Sequence, residues 1–128
     1  MKRRKKVALV IVVAMALFTA GILTGSNKFG QPKTVIHVVT IQWKDGATEA
    51  EKQAVYDGVR RMAGEIPGIH NVWTNPIKVQ GDGYSGAFVM EFESKEALDA
   101  YAKNPAHADW MKVYAPAHKE STTHDITN

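Results

Sequence analysis

The chain has 128 residues, of which 45% are hydrophobic and 23% charged, and it contains no cysteine. This length suits one folded domain with a short appendage and excludes a second domain of ordinary size. The lack of cysteine excludes disulfides, thiolate metal sites and a cysteine nucleophile.

The positive charge is concentrated at one end of the chain. The formal net charge is +3, but six of the sixteen basic residues precede Phe29. From Phe29 onward, ten basic residues stand against all thirteen acidic ones, so this part carries a net charge of −3. A nucleic-acid surface needs clustered Lys and Arg, so we expect no nucleic-acid partner.

The first 25 residues have the pattern of an export or membrane signal. Five cations at residues 2–6 precede an uncharged, mostly apolar run at residues 7–25. As a helix this run would reach about 28 Å, close to the roughly 30 Å of a bilayer core. We predict a single-pass signal anchor at residues 1–25, or alternatively a cleaved signal peptide, followed by a linker at residues 26–33. The cations stay cytoplasmic, so the domain is exported and held at the cell membrane, or is periplasmic or secreted after cleavage.

A strand and a helix follow the linker. Residues 34–43 (TVIHVVTIQW) alternate and are rich in β-branched side chains, which predicts a strand. One face of this strand would carry the odd-numbered side chains Val35, His37, Val39, Ile41 and Trp43. Thr48 and Glu51 have capping-box spacing and predict the start of a helix, which Pro67 and Gly68 end. Its buried face would carry four apolar residues at helical spacing: Val55, Val59, Met62 and Ile66.

Residues 69–79 and 84–93 predict two more strands, joined by a hairpin loop at residues 81–83. The second of them alternates, with Phe88, Met90 and Phe92 on one face. The segment GDGYSG at residues 81–86 matches the glycine pattern of dinucleotide sites, but such a site requires a strand followed by a helix. Because this segment joins two strands, we expect no nucleotide cofactor.

Two helices and a last strand complete the pattern. Ser94 can cap a second helix. Asn104 and Pro105 end that helix and can start a third, which carries His107, Trp110, Met111 and Tyr114 on one face before Pro116. Residues 118–127 can supply a last strand, although STTHDIT is unusually polar for one. The order strand, helix, strand, strand, helix pair, strand predicts an α+β, ferredoxin-like βαββαβ fold.

Four stretches of the chain resemble the stress-responsive A/B barrel domain family of the dimeric α/β barrel superfamily. They are IHVVTIQWKDG, IPG, GYSGAFVMEFES and LDAYAKNPAHADW, and together they extend over nearly all of residues 34–127. The resemblance implies a four-stranded antiparallel sheet with helices on one face and a homodimer that pairs two sheets. Val38 is predicted at this interface, because it points opposite to His37.

The resemblance also implies a site. A plant member of the family closes a linear polyketide by aldol condensation, using a tyrosine six residues before a histidine. Tyr101 and His107 have this spacing here, and His37 corresponds to a strand histidine that lines the same pocket. We predict that Tyr101 and His107 are catalytic and that the pocket wall includes His37, Val39, Val59, Trp110, Met111 and His118. Positions matching the apolar pocket of the plant enzyme include Arg60, His118 and Ser121.

Several interpretations of these histidines remain open. An imidazole exchanges protons near neutral pH and a phenol can donate a hydrogen bond to an enolate oxygen, so His107 and Tyr101 suffice for enolisation or aldol chemistry without a cofactor. Alternatively, the His107 ring bonds the backbone at the helix break, and Tyr101 belongs to the core. His37, His107 and His118 could also converge on zinc or copper, but no short ligand spacing supports this, so we predict no metal.

Two functional hypotheses follow. In the first, the domain is a noncatalytic module that binds a small organic molecule between its sheet and helices. In the second, it is a cofactor-free enzyme of the lyase, cyclase or isomerase type. An acid and a base that converge on one cavity with room for a substrate would favour the second.

Overall fold

The folded part of the chain is a four-stranded sheet with three helices. The computed structural model describes residues 30–128, so the predicted anchor or signal segment and the first half of the linker lie outside the described residues. The elements are β1 (Val35–Trp43), α1 (Glu49–Glu65), β2 (Ile69–Trp73), β3 (Gly86–Phe92), α2 (Lys95–Lys103), α3 (Pro105–Ala117) and β4 (His118–Ile126). All belong to the compact unit Pro32–Asn128. Within residues 30–128, no helix is both long enough and apolar enough to cross a membrane.

The strands form one antiparallel sheet in the order β2-β3-β1-β4. This topology confirms the predicted ferredoxin-like α+β fold. The apolar core lies between the helices and one face of the sheet, where alternate side chains of β1 and β3 are buried as predicted. The helix α1 adds Val55, Val59 and Met62 to this core.

Local capping explains where the helices begin and end. Thr48 and Glu51 form both halves of the predicted capping box, with the Thr48 amide donating to the Glu51 carboxylate at 2.7 Å. Asn104 separates α2 from α3: its amide donates to the Tyr101 carbonyl at 3.1 Å, and its side-chain oxygen accepts from the Ala106 amide at 2.9 Å. This break redirects the chain so that α3 begins against the end of α2. The third helix then continues past the predicted limit at Pro116 to Ala117.

The second and third strands are shorter than predicted. β2 ends at Trp73 rather than at residue 79, and β3 begins at Gly86. Pro76 lacks the amide that a strand ladder needs, so the segment TNPIKV cannot continue the pairing. GDGYSG does join two strands as predicted: Gly81 and Gly83 have φ angles of +117° and +81°, which favour glycine.

The second face of the sheet has no covering layer in the described residues. β1 and β3 place Ile36, Val38 and Val89 there, and the β1–β3 register pairs Val38 with Val89. Trp73 and Ile126, at opposite edges of the same face, are 52% and 58% exposed. Polar side chains interrupt the apolar ones, and the Thr40 and Thr122 hydroxyls bond each other across β1 and β4. The face is therefore a mixed apolar and polar surface open to a partner.

Candidate functional site

A pocket of about 360 Å³ opens between the helix-facing side of the sheet and the α2–α3 pair. This volume falls within the range of about 300–1,000 Å³ that is usual for small-molecule sites. Six of the eight residues that we predicted for the site line it: His37, Val39, Tyr101, His107, Trp110 and Met111. The pocket thus lies where the broken helix faces β1.

Val59 and His118 do not line this pocket, which corrects their predicted place in its wall. Val59 lies on the buried face of α1 and is fully enclosed in the core. His118 follows α3 directly; its ring Nδ1 donates to the Tyr114 carbonyl at 2.8 Å and the ring stacks on Tyr114. His118 therefore completes the end of the helix instead of facing the cavity.

Tyr101 lies between two histidines. Its ring centroid is 4.7 Å from that of His107 and 5.9 Å from that of His37. Burial raises the pKa of Tyr101, so its phenol remains a hydrogen-bond donor at neutral pH. Burial also lowers the pKa of His107, and the nearby His37 adds to this effect. The neutral imidazole, which can accept a proton, is therefore the form of His107 favoured at pH 7.

The backbone at the helix break is satisfied without the His107 ring. The Asn104 carbonyl accepts the amides of His107 and Ala108 at 3.0 and 3.3 Å. Among the described residues, no hydrogen bond joins the His107 imidazole to a backbone group. Asn104 therefore caps the backbone at the helix break, a role that one interpretation of the sequence gave to the His107 ring. Tyr101 both belongs to the core and lines the pocket.

A carboxylate that sequence analysis missed orients the strand histidine. The β1–β4 register pairs His37 with Asp125, and His37 Nδ1 lies 2.6 Å from Asp125 Oδ1. Because a carboxylate accepts, the proton of this bond belongs to Nδ1, and a neutral ring keeps Nε2 as its acceptor. The separation of 88 positions in the sequence explains why local spacing could not reveal the pair.

The indole of Trp110 forms a rigid part of the pocket wall. Its Nε1 donates to the Val55 carbonyl at 3.0 Å, which ties α3 to α1. The ring also lies directly over Gly58, where a Cβ atom would come within 2.4 Å of Trp110 Cδ1. Gly58 is therefore the residue that lets the indole approach the helix so closely.

The remaining residues that the resemblance pointed to lie in different surroundings. Of the positions matched to the apolar pocket of the plant enzyme, Ser121 lines the cavity, whereas Arg60 is exposed and bonds Thr74 and Asp57. His118 does not line the pocket that His37 and His107 share. Within residues 30–128, no three His, Asp or Glu side chains are arranged to hold a metal ion, so the three-histidine hypothesis has no geometric support.

Comparisons with known proteins agree with this architecture. The family model described as Stress responsive A/B Barrel Domain matches residues 35–128. Olivetolic acid cyclase of Cannabis sativa is 30% identical over 83 residues, which cover 62% of this chain and 82% of the cyclase. The stress-response A/B barrel domain-containing protein HS1 of Arabidopsis thaliana is 26% identical over 83 residues, covering 62% and 76%. A dimeric ferredoxin-like protein of unknown function from Thermobifida fusca has a TM-score of 0.65 at 18% identity, over 80% of this chain and 97% of that one.

Proposed function

This chain belongs to the stress responsive A/B barrel domain family, and from that premise we propose that it binds a small organic molecule in the pocket between its sheet and helices. The observation that carries the proposal is the cavity of about 360 Å³ with an aromatic wall and two imidazoles facing it. A mostly apolar wall with a few convergent polar groups is typical of such sites.

Native mass spectrometry of the full-length chain purified from its own host tests this proposal. We expect a noncovalent adduct of small-molecule mass. Ala102→Trp should abolish the adduct, because Ala102 lines the pocket and an indole there would obstruct it. Ala108→Trp, on the exposed side of α3, is the matched control and should retain it. A wild-type chain that carries no adduct, or an adduct that survives Ala102→Trp, would contradict binding at this site.

A second function, cofactor-free proton transfer, is favoured by the contact between Tyr101 and His107. In this mechanism His107 takes a proton from a carbon next to a substrate carbonyl, the C–H electron pair forms a carbon–carbon double bond, and the π pair of the carbonyl moves onto its oxygen. Tyr101 donates a hydrogen bond to the resulting enolate oxygen. The enolate then takes the proton back from His107 at another carbon, which is isomerisation, or attacks a second carbonyl of the same molecule, whose oxygen takes the proton from His107, which is cyclisation. In the reverse direction His107 would take the hydroxyl proton of a β-hydroxy carbonyl compound, the Cα–Cβ bond would break and the enolate would leave beside Tyr101, which would make the protein a lyase.

We also propose a homodimer that buries the second face of the sheet. Similar folds occur in dimeric proteins, such as the one from Thermobifida fusca. In a single chain Ile36, Val38 and Val89 would leave apolar surface in contact with water on this face, and association of two copies would remove it.

The proposed cellular place of the domain is the outer side of a membrane, to which residues 1–25 anchor it. The support for this proposal is the cationic flank and the apolar run in the sequence. Carbonate washing of membranes should therefore leave the protein in the pellet. A soluble protein with a new N-terminus near Leu17 or Asn27 would replace the anchor with a cleaved signal peptide.

A further inference from the structure

The indole of Trp110 separates two cavities. On one side of the ring lies the pocket of about 360 Å³ described above, and on the other side lies a cleft of about 150 Å³ between α1 and α3. Trp110 lines both cavities, whereas Gly58 lines this outer cleft and is not among the described residues that line the pocket. Gly58 therefore contacts the indole from outside the pocket.

Glycine at position 58 is explained by this ring. Gly58 is an interior residue of α1, where alanine would favour the helix more than glycine does. A Cβ atom there would lie 2.4 Å from Trp110 Cδ1 and 3.0 Å from Trp110 Nε1, whereas nonbonded carbon atoms normally stay about 3.5–4.0 Å apart. Among the described residues, nothing lies within 4 Å of the corresponding atom at Gly64, on the same helix. The clash at position 58 thus comes from the indole and not from the helix.

The contacts of the indole restrict where it could move. Its Nε1 donates to the Val55 carbonyl, its ring stacks on Tyr114 with centroids 4.4 Å apart, and its edge-to-face contact with Phe88 has a centroid distance of 5.7 Å. A methyl group at position 58 would push the ring away from α1. The pocket is the larger of the two cavities that the ring lines, so it offers the space into which the ring would move.

We infer that Gly58 sets the size of ligand that the pocket admits, because it lets the Trp110 indole pack against α1 and so leaves the cavity free. This inference rests on the proposed small-molecule binding and adds a positioning residue that lies outside the pocket wall. A larger side chain at position 58 displaces the indole, lengthens or breaks its hydrogen bond to Val55 and fills part of the cavity. Large ligands lose affinity first, because a small ligand can still avoid the displaced ring.

Two ketones that differ by one fused ring, acetophenone and 2-acetonaphthone, test the inference. Each is titrated into the full-length chain in detergent, and binding is followed by the ¹³C-methyl resonance of Met111, which lines the pocket. We expect Gly58→Ala to weaken binding of 2-acetonaphthone by at least about tenfold and binding of acetophenone by less than about threefold. Gly64→Ala, the same change on the same helix with free space around it, is the matched control and should leave both affinities unaltered.

A second measurement follows the indole without any ligand. The Nε1–H of Trp110 is held by the Val55 carbonyl, so its NMR resonance and its rate of exchange with solvent report the position of the ring. Gly58→Ala should shift this resonance and accelerate the exchange, whereas Gly64→Ala should do neither. Trp110→Val removes the atoms that the added methyl group would meet. In that background Gly58→Ala should no longer change the relative affinity for the two ketones.

The outcomes distinguish the inference from the binding function on which it rests. Equal weakening of both ketones by Gly58→Ala, or an unmoved indole resonance, would overturn the inference while binding itself stands. If Gly58→Ala alone does not fold, Trp110→Val should restore folding by removing the clash, and failure to restore it would also overturn the inference. If neither ketone binds the wild-type chain, the proposed binding function is contradicted, and the indole resonance still decides whether Gly58 positions Trp110.

Discussion

Replacement of His107 by alanine should lower the rate of carbonyl enolisation in this pocket by about 10²–10⁴-fold, the usual contribution of a positioned general base. The imidazole faces the cavity beside the Tyr101 phenol, and the helix break on which it lies does not need it for hydrogen bonding. Deuterium exchange at the α-carbon of a neutral ketone such as acetophenone, in D₂O, measures this step without knowledge of the natural substrate. We expect the wild-type chain to accelerate exchange over buffer and His107→Ala to lose the acceleration.

The pH dependence of the same exchange should identify the base. Protonation removes the base, so the rate falls as pH falls through the pKa of His107. Desolvation, with a smaller effect of His37, lowers that pKa below its ordinary value of 6.5. The active form should therefore persist to lower pH than for an exposed histidine. Tyr101→Phe keeps the ring in the core but removes the donor to the enolate, and should cost about 10²-fold.

His70→Ala is the control for these variants. His70 is an exposed histidine on β2, outside the pocket wall, and its loss should leave exchange unaltered. If His107→Ala retains the wild-type rate while His37→Ala loses it, the base is the His37–Asp125 pair and our assignment is wrong. If no variant differs from wild type, the pocket is a binding site without this chemistry.

The elements of the fold could be predicted because each leaves a local trace. Burial of only one face produces the alternation of apolar and polar side chains along β1 and β3. Thr48 and Glu51 indicate the start of α1, because the hydrogen bonds of a capping box join residues only three positions apart. β2 was predicted too long because Val79 and its neighbours favour strands, whereas Pro76 prevents pairing with β3. Propensity alone therefore overestimated the length of the ladder.

The site was harder to predict, because its geometry depends on long-range register. Asp125 bonds His37 only because β4 pairs with β1, and nothing within either strand specifies that alignment. Helical spacing likewise gives the direction of Val59 but not its depth, so a core residue was assigned to the pocket wall. His118 was assigned there too, although it caps α3. The catalytic roles of Tyr101 and His107 remain predictions for the exchange assay to decide.

Substitution of Val38 by lysine should convert the proposed dimer to monomers and raise its dissociation constant on the order of 10²-fold, the effect of an unpaired charge buried in an interface. Val38 lies at the centre of the open face, paired with Val89 on β3 and with His124 on β4. Sedimentation of residues 32–128 measures the association at micromolar concentration.

The control for Val38→Lys must carry the same change on a surface that the dimer leaves free. Ile77→Lys meets this condition, since Ile77 is fully exposed in the loop between β2 and β3 and not part of the sheet. It should leave the dimer intact. A wild-type monomer, or equal weakening by both lysines, would exclude the sheet face as the interface.

The polar side chains of that face are compatible with burial in a dimer. Glu91 already accepts hydrogen bonds from Asn71 and Thr34 within one chain, so its burial would not leave the carboxylate without hydrogen bonds.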